Sequence, residues 1–159
     1  IIEQIIAVVK AQYPNQKFEF DYRSNTQNIF VDKDRFQQIM TNLLENSAKY
    51  STGENFTRIQ VLSDCNSAVI KISNTGIGIE KDDYDKIFTK FARIDNPLTR
   101  KVQGSGLGLY ITKNLVEKMN GKISVDSQPI PGSDLHTITF TVEFPILNIE
   151  EQARIKCSQ

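Results

Sequence analysis

The sequence predicts a two-layer α/β (α+β) sandwich, a mixed and largely antiparallel sheet covered on one face by helices. Two observations carry this. Segments with apolar residues at helical spacing share the chain with segments that alternate with period two. Their order brings strand segments together in successive pairs, near 58–63 and 68–73 and again near 122–126 and 136–144, with helical segments left to cover the sheet. A chain of 159 residues is long enough to bury one such core.

The elements follow in order. Ile2, Ile5, Ile6 and Val9 recur at helical spacing, and Pro14 marks a point beyond the end of that helix. Phe18, Phe20 and Tyr22 alternate with Lys17, Glu19 and Asp21, which predicts a strand, and a short strand is expected at 29–31. Asp32 or Asp34 can cap a long helix carrying Phe36, Ile39, Met40, Leu43 and Leu44 on one face. After the paired strands, a loop Asn74-Thr75-Gly76-Ile77-Gly78 leads to a short helix ending near Phe88. Residues 89–103 show little periodicity and read as a loop. Another helix opens at 104–108, with Leu107, Ile111, Leu115 and Met119 on one face and Asn120-Gly121 as its stop.

The domain is expected to span 1–145, with a polar tail or linker at 146–159. A hydrophobic fraction of 39% with 24% charged residues is that of a soluble globular domain. Nineteen basic against 19 acidic residues leave a formal charge of +0, so no global field recruits nucleic acid or a membrane surface. Any anion must be held locally. Cys65 and Cys157 fit no metal spacing and are expected to be reduced thiols in the cytoplasm. No apolar run approaches the ~18 residues of a membrane span. The chain opens Ile1-Ile2-Glu3, so it is expected to be a segment of a longer protein, whose membrane anchoring stays open.

Three clusters carry chemistry. Asn42, Asn46 and Lys49 form a stripe on the long helix, bordering its apolar face, with Tyr50 beside it. An amide oxygen suits Mg²⁺ beside phosphates, and a lysine supplies a compact positive charge. The same stripe also reads as a solvated face with Glu45 and Lys49 as an i,i+4 pair. Asn74 shares strand parity with Ile70 and Ile72, so its amide should be buried and in need of partners, which an adenine edge offers. Gly76 and Gly78 would let backbone approach a flat ligand, although Asn and Gly are also ordinary turn residues. Gly104-Ser105-Gly106-Leu107-Gly108 runs into a helix, and glycine-rich backbone at a helix N-terminus presents N–H groups to an anion. A hinge before a helix reads the same way. The segment lacks the Lys-Ser/Thr of a P-loop.

In combination the clusters resemble the sensor histidine kinases. Asn42-Leu-Leu-Glu-Asn46-Ser-Ala-Lys49-Tyr50-Ser51 looks like their N box, and Asn74-Thr-Gly-Ile-Gly78-Ile like the first glycine box. Ile87-Phe88-Thr-Lys-Phe91 is similar to the phenylalanine box, and Gly104-Ser-Gly-Leu-Gly-Leu109 to the second glycine box. The order matches, and the likeness runs from the first helix to about Pro145.

The resemblance implies a Bergerat-type sandwich that binds ATP and Mg²⁺. It implies Asn46 as the metal ligand, Asn42 near the metal and phosphates, and Lys49 and Arg93 at the terminal phosphates. Tyr50 and Ile79 would border the base, Asn74 and Thr75 would contact adenine, and Ser105, Gly106, Leu107 and Gly108 would wrap the phosphates. Residues 89–103 would form a lid anchored by Phe88 and Phe91. The partners implied are a dimerisation and histidine phosphotransfer domain and a downstream response regulator, as in two-component signalling.

Two departures matter. The family usually has aspartate where Asn74 stands, and no phosphoacceptor helix is present. The only histidine, His136, shares parity with Ile138, Phe140, Val142 and Phe144 and reads as a strand-end packing residue. Alternatives are a nucleotide-sensing module without phosphotransfer, or a related ATPase or serine kinase. The latter carry Glu where Asn42 stands, and an amide cannot abstract a proton.

Overall fold

The computed structural model describes residues 1–23, 29, 31–63, 66–92 and 104–146. Cys65, Cys157, Arg93 and the segments 93–103 and 147–159 lie outside them.

Helix α1, Ile2–Gln12, buries Ile5 and Val9 one turn apart and closes with Tyr13 N donating to Val9 O. Strand β1, Lys17–Arg23, follows. Helix α2, Lys33–Tyr50, is capped by Asp32, whose carboxylate accepts from the backbone of Asp34 and Arg35 at 3.0 Å each. This satisfies two of the N–H groups that a helix start leaves free. Its buried face is Phe36, Ile39, Met40, Leu43, Leu44 and Ser47.

Strands β2, Phe56–Ser63, and β3, Ser67–Gly76, form a hairpin; β4, Lys122–Pro129, and β5, His136–Pro145, form another. The five-stranded sheet has the order β1-β2-β3-β5-β4, parallel only between β1 and β2. Alternate residues of β3 and β5 are buried, among them Ile70, Ile72, Phe140, Val142 and Phe144. Helices therefore cover one face, and the fold is the two-layer sandwich expected. Phe36 of α2 meets Phe144 at 5.9 Å between ring centroids, which joins the layers.

Several local expectations change. Ile29 and Val31 are in no strand; β1 is the sheet edge, and these side chains instead pack against the core. Strand β3 continues through the expected loop, pairing Asn74, Thr75 and Gly76 with Ile138, Thr137 and His136. The helix ending near Phe88 is two 3₁₀ turns, Lys81–Asp83 and Lys86–Phe88. Helix α3, Gly108–Lys118, is rotated from the expected face. It buries Thr112 and Val116, with Leu109, Leu115 and Met119 alongside, and leaves Ile111 39% exposed. The cause is polar: Asn42 Nδ2 on α2 donates to Thr112 Oγ1 at 2.6 Å, turning that side of α3 inward.

Candidate functional site

Helix α2 runs its C-terminal turn against the end of β3. Thr52 N donates to Thr75 O at 2.9 Å, and a Cβ on Gly76 would sit 2.7 Å from Tyr50 O. The close approach of this carbonyl is thus enough to require Gly76. Lys49, Tyr50 and Asn74 are brought to one place, although Tyr50 and Asn74 stand 24 positions apart in the chain.

They line one wall of a cavity of about 240 Å³. Asn46, Lys49, Tyr50 and Thr52 come from the end of α2 and the residues after it; Asn74 comes from β3. Gly104, Ser105, Gly106 and Gly108 supply the approach to α3. Ile79, Ile87, Ile138 and Phe140 make an apolar wall. Among the described residues Lys49 is the only charged side chain in the lining. Three clusters far apart in sequence therefore share one cavity.

The α3 end of the cavity suits an anion. No side chain caps the first turn of α3, its N-cap is Leu107, and the turn holds no acidic residue. Its backbone N–H groups are left for a ligand. Gly106 has φ +69°, and a Cβ there would lie 2.8 Å from the Phe91 carbonyl carbon, so only glycine fits between the two backbones. Lys49 Nζ holds Glu45 Oε2 at 3.0 Å. Burial draws the Lys49 pKa down, but the hydrogen bond and charge of Glu45, with a further contribution from Tyr13, outweigh it. The ammonium titrates above the ordinary lysine range and is charged at neutral pH.

Asn74 is buried, 4% exposed, on the same face as Ile70 and Ile72 as its parity predicts. Its Nδ2 donates to Thr75 O at 3.3 Å.

Other expected site residues sit elsewhere. Asn42 lies outside this lining: its amide holds Thr112, and a Cβ on Gly108 would fall 2.5 Å from its Oδ1, so it spaces α2 from α3. Gly78 faces His136, whose ring would meet a Cβ at 2.7 Å, so the glycine makes room for that side chain. Thr75 contributes its carbonyl to Thr52 and Asn74, and neither it nor Leu107 is part of the lining. Phe88 is buried edge-on against Phe140 at 6.4 Å, but Phe91 is 69% exposed and anchors nothing in the core. Its backbone, at φ 61°, is what touches Gly106.

Two features escaped the sequence reading. Thr52 lines the cavity, and its Oγ1 is buried without a hydrogen-bond partner. Behind Asn74, Thr57 pairs with it across β2 and β3 and is wholly buried. Thr57 Oγ1 accepts from Gln16 Nε2 at 2.8 Å and shares a hydrogen bond with Ser47 Oγ at 2.7 Å. Only polar residues in a turn or strand were visible in sequence, with no periodic signal to separate them from surface.

Residues 31–147 match the family model described as Histidine kinase-, DNA gyrase B-, and HSP90-like ATPase. The chain belongs to this ATPase family. It is 40% identical over 113 residues to the sensor protein kinase WalK of Staphylococcus epidermidis, a stretch covering 69% of this chain and 18% of that protein. It is 36% identical over 123 residues to the circadian input-output histidine kinase CikA of Synechococcus elongatus, covering 77% of this chain and 16% of that one. The chain therefore spans less than a fifth of the length of these relatives. Among solved structures, a mycobacterial sensor histidine kinase, MprB, superposes with TM-score 0.74 at 25% identity, covering 91% of each chain. The catalytic domain of histidine kinase ThkA gives 0.75 at 25% identity, covering 91% of this chain and 90% of that one.

The lining fits what an ATPase of this family would hold. Thr52 offers an orphaned buried hydroxyl, and α3 an uncapped N-terminus. No group of three or more His, Cys, Asp or Glu among the described residues could hold a metal by itself. One amide, Asn46, is a donor of the hard oxygen type that Mg²⁺ takes alongside phosphate oxygens. Among the described residues, no helix is long and apolar enough to cross a membrane.

Proposed function

We propose that this chain binds Mg²⁺-ATP and transfers the γ-phosphoryl group to a histidine on a separate dimerisation and phosphoacceptor domain of a cytoplasmic signalling kinase. A response regulator then receives the phosphoryl group. The observation that carries the reading is the single cavity joining Asn46 and Lys49, the buried Asn74 and the uncapped α3 start. Mg²⁺ bound with the nucleotide supplies charge neutralisation on the phosphates.

This chain's own residues bind and orient. The apolar wall of Ile79, Ile138 and Phe140 takes the base, with Tyr50 at its border and Asn74 reading its edge. The N–H groups before and at the start of α3 receive the phosphates. Lys49 would supply positive charge to the terminal phosphate, and Asn46 would hold Mg²⁺ through its amide oxygen. Arg93 is assigned to the same phosphate by the resemblance alone. In the transfer, the bond from the γ-phosphorus to the β–γ bridging oxygen breaks and a phosphorus–nitrogen bond forms. ADP leaves, and the proton of the accepting imidazole passes to a base on the other domain. No carboxylate lines the cavity among the described residues to take that proton here. His136 is not the acceptor, since its Nδ1 is bound to Ser127 Oγ at 3.0 Å and its ring packs on Gly78.

Calorimetric titration of ATP with and without Mg²⁺ tests binding. Adding a separately produced phosphoacceptor domain should yield acid-labile phosphate on that domain and none on this chain. Saturable ATP binding with phosphate on this chain alone would refute the division of labour.

A further inference from the structure

We propose that the base end of this cavity accepts 6-oxo purines as well as adenine, with Asn74 and Thr52 as the residues that set this tolerance. The proposal rests on the nucleotide reading above.

Asn74 faces Ile138 across β3 and β5, and Ile138, Phe140 and Ile79 line the same cavity. Its amide is therefore a polar group set in an apolar wall, where a flat base would settle. The Thr75 carbonyl accepts from both Asn74 Nδ2 and Thr52 N, which places the two residues side by side. Thr52 lines the same cavity, and its hydroxyl is buried and unpartnered. A buried hydroxyl without a partner is rare in a native protein and is free to take one that reaches it. Neither group carries a charge.

Their chemistry is ambivalent. A carboxylate only accepts hydrogen bonds, whereas an amide presents an acceptor and a donor that exchange places when it turns over. Adenine offers an amino donor beside a ring-nitrogen acceptor. Hypoxanthine and guanine offer a carbonyl acceptor beside an N–H donor. An amide matches either edge, and a hydroxyl rotates to suit either.

The structure also sets how much adenine is preferred. With Nδ2 directed to Thr75 O, the amide oxygen is the end left for an adenine amino group. A 6-oxo purine requires the amide to turn over and give up that one neutral bond of 3.3 Å. A bond of this kind is worth roughly two- to tenfold in an equilibrium constant. Thr52 adds no discrimination because its hydroxyl is committed to nothing.

The test is competition of ATP, ITP and GTP against a fluorescent ATP analogue on the whole chain and on Asn74→Asp, with thermal unfolding to confirm that the variant folds. ITP isolates position 6 from the 2-amino group of guanine. The expected result is ATP tighter than ITP by roughly two- to tenfold in the native chain. In Asn74→Asp, whose carboxylate repels a 6-carbonyl, that ratio widens. A native ratio above about thirtyfold, or one that Asn74→Asp leaves unchanged, overturns the proposal. The native ratio decides the matter even if the variant does not fold. If ATP, ITP and GTP all fail to bind, the nucleotide reading itself is refuted.

Discussion

Replacing Thr57 with valine probes the buried polar seam that backs the site. Thr57 is 0% exposed, and its Oγ1 joins Gln16 Nε2 at 2.8 Å and Ser47 Oγ at 2.7 Å. Valine has nearly the same shape, so no cavity opens and the loss is purely polar. Gln16 keeps only a longer bond to Ser51 Oγ, at 3.3 Å, while the Ser47 hydroxyl loses this partner. A buried polar group left unsatisfied costs ~1–3 kcal/mol. With one group orphaned and one half-satisfied, the sum is about 2–4 kcal/mol. In a domain of this size that lowers Tm by about 5–15 °C. Circular-dichroism melts and urea titration with an unchanged m-value measure it. Thr57→Val/Ser47→Ala removes the orphaned hydroxyl as well, so the double variant should be less destabilised than the sum of the singles, by about 1–2 kcal/mol. A Tm within about 2 °C of native for Thr57→Val, or a strictly additive double variant, would refute the seam as a connected network.

Gly78→Ala should lower stability by about 1–3 kcal/mol, because the new methyl displaces His136 from Ser127, and His136→Ala should restore most of the loss; a native Tm for Gly78→Ala would contradict this packing role. Asn46→Ala should abolish the Mg²⁺-dependent strengthening of ATP binding with the melting curve unchanged, and equal Mg²⁺ dependence in both proteins would remove Asn46 as metal ligand. Lys49 has a folded pKa raised above the ordinary value, so its pairing stabilises the fold fully below that value and is lost as pH rises through the folded pKa. Glu45→Gln should therefore be less stable than native at pH 7, with the gap closing as pH rises through the raised Lys49 pKa; a gap independent of pH would show that charge is not its cause. Asn42→Ala should loosen α3 and lower Tm without changing which nucleotide is preferred, and a change in preference would place Asn42 at the ligand.

Local periodicity was enough to find the helices and most strands, because a buried face writes a repeat of 3.6 or 2 into the chain. The same parity put Asn74 on the inner face, and the glycines at 104–108 marked the start of α3 from their composition alone. What lay beyond the sequence were relations between segments that have no pattern of their own. Residues 29 and 31 look like a strand until the sheet closes its order and leaves them no partner. Ile111 fits an apolar stripe until the Asn42 to Thr112 bond sets the rotation of α3. Gly76 and Gly78 read alike in sequence, yet one yields to the Tyr50 carbonyl and the other to the His136 ring, contacts that exist only once β3 meets α2 and β5. Thr52 and Thr57 are ordinary polar residues in the chain; burial by distant elements turns one into an orphaned hydroxyl at the cavity and the other into the centre of a polar seam. Sequence determined which residue types were available near each element. The tertiary structure decided which of them touch, because the cost of an unpaired polar atom or an overlapping carbon depends on neighbours that the chain order does not specify.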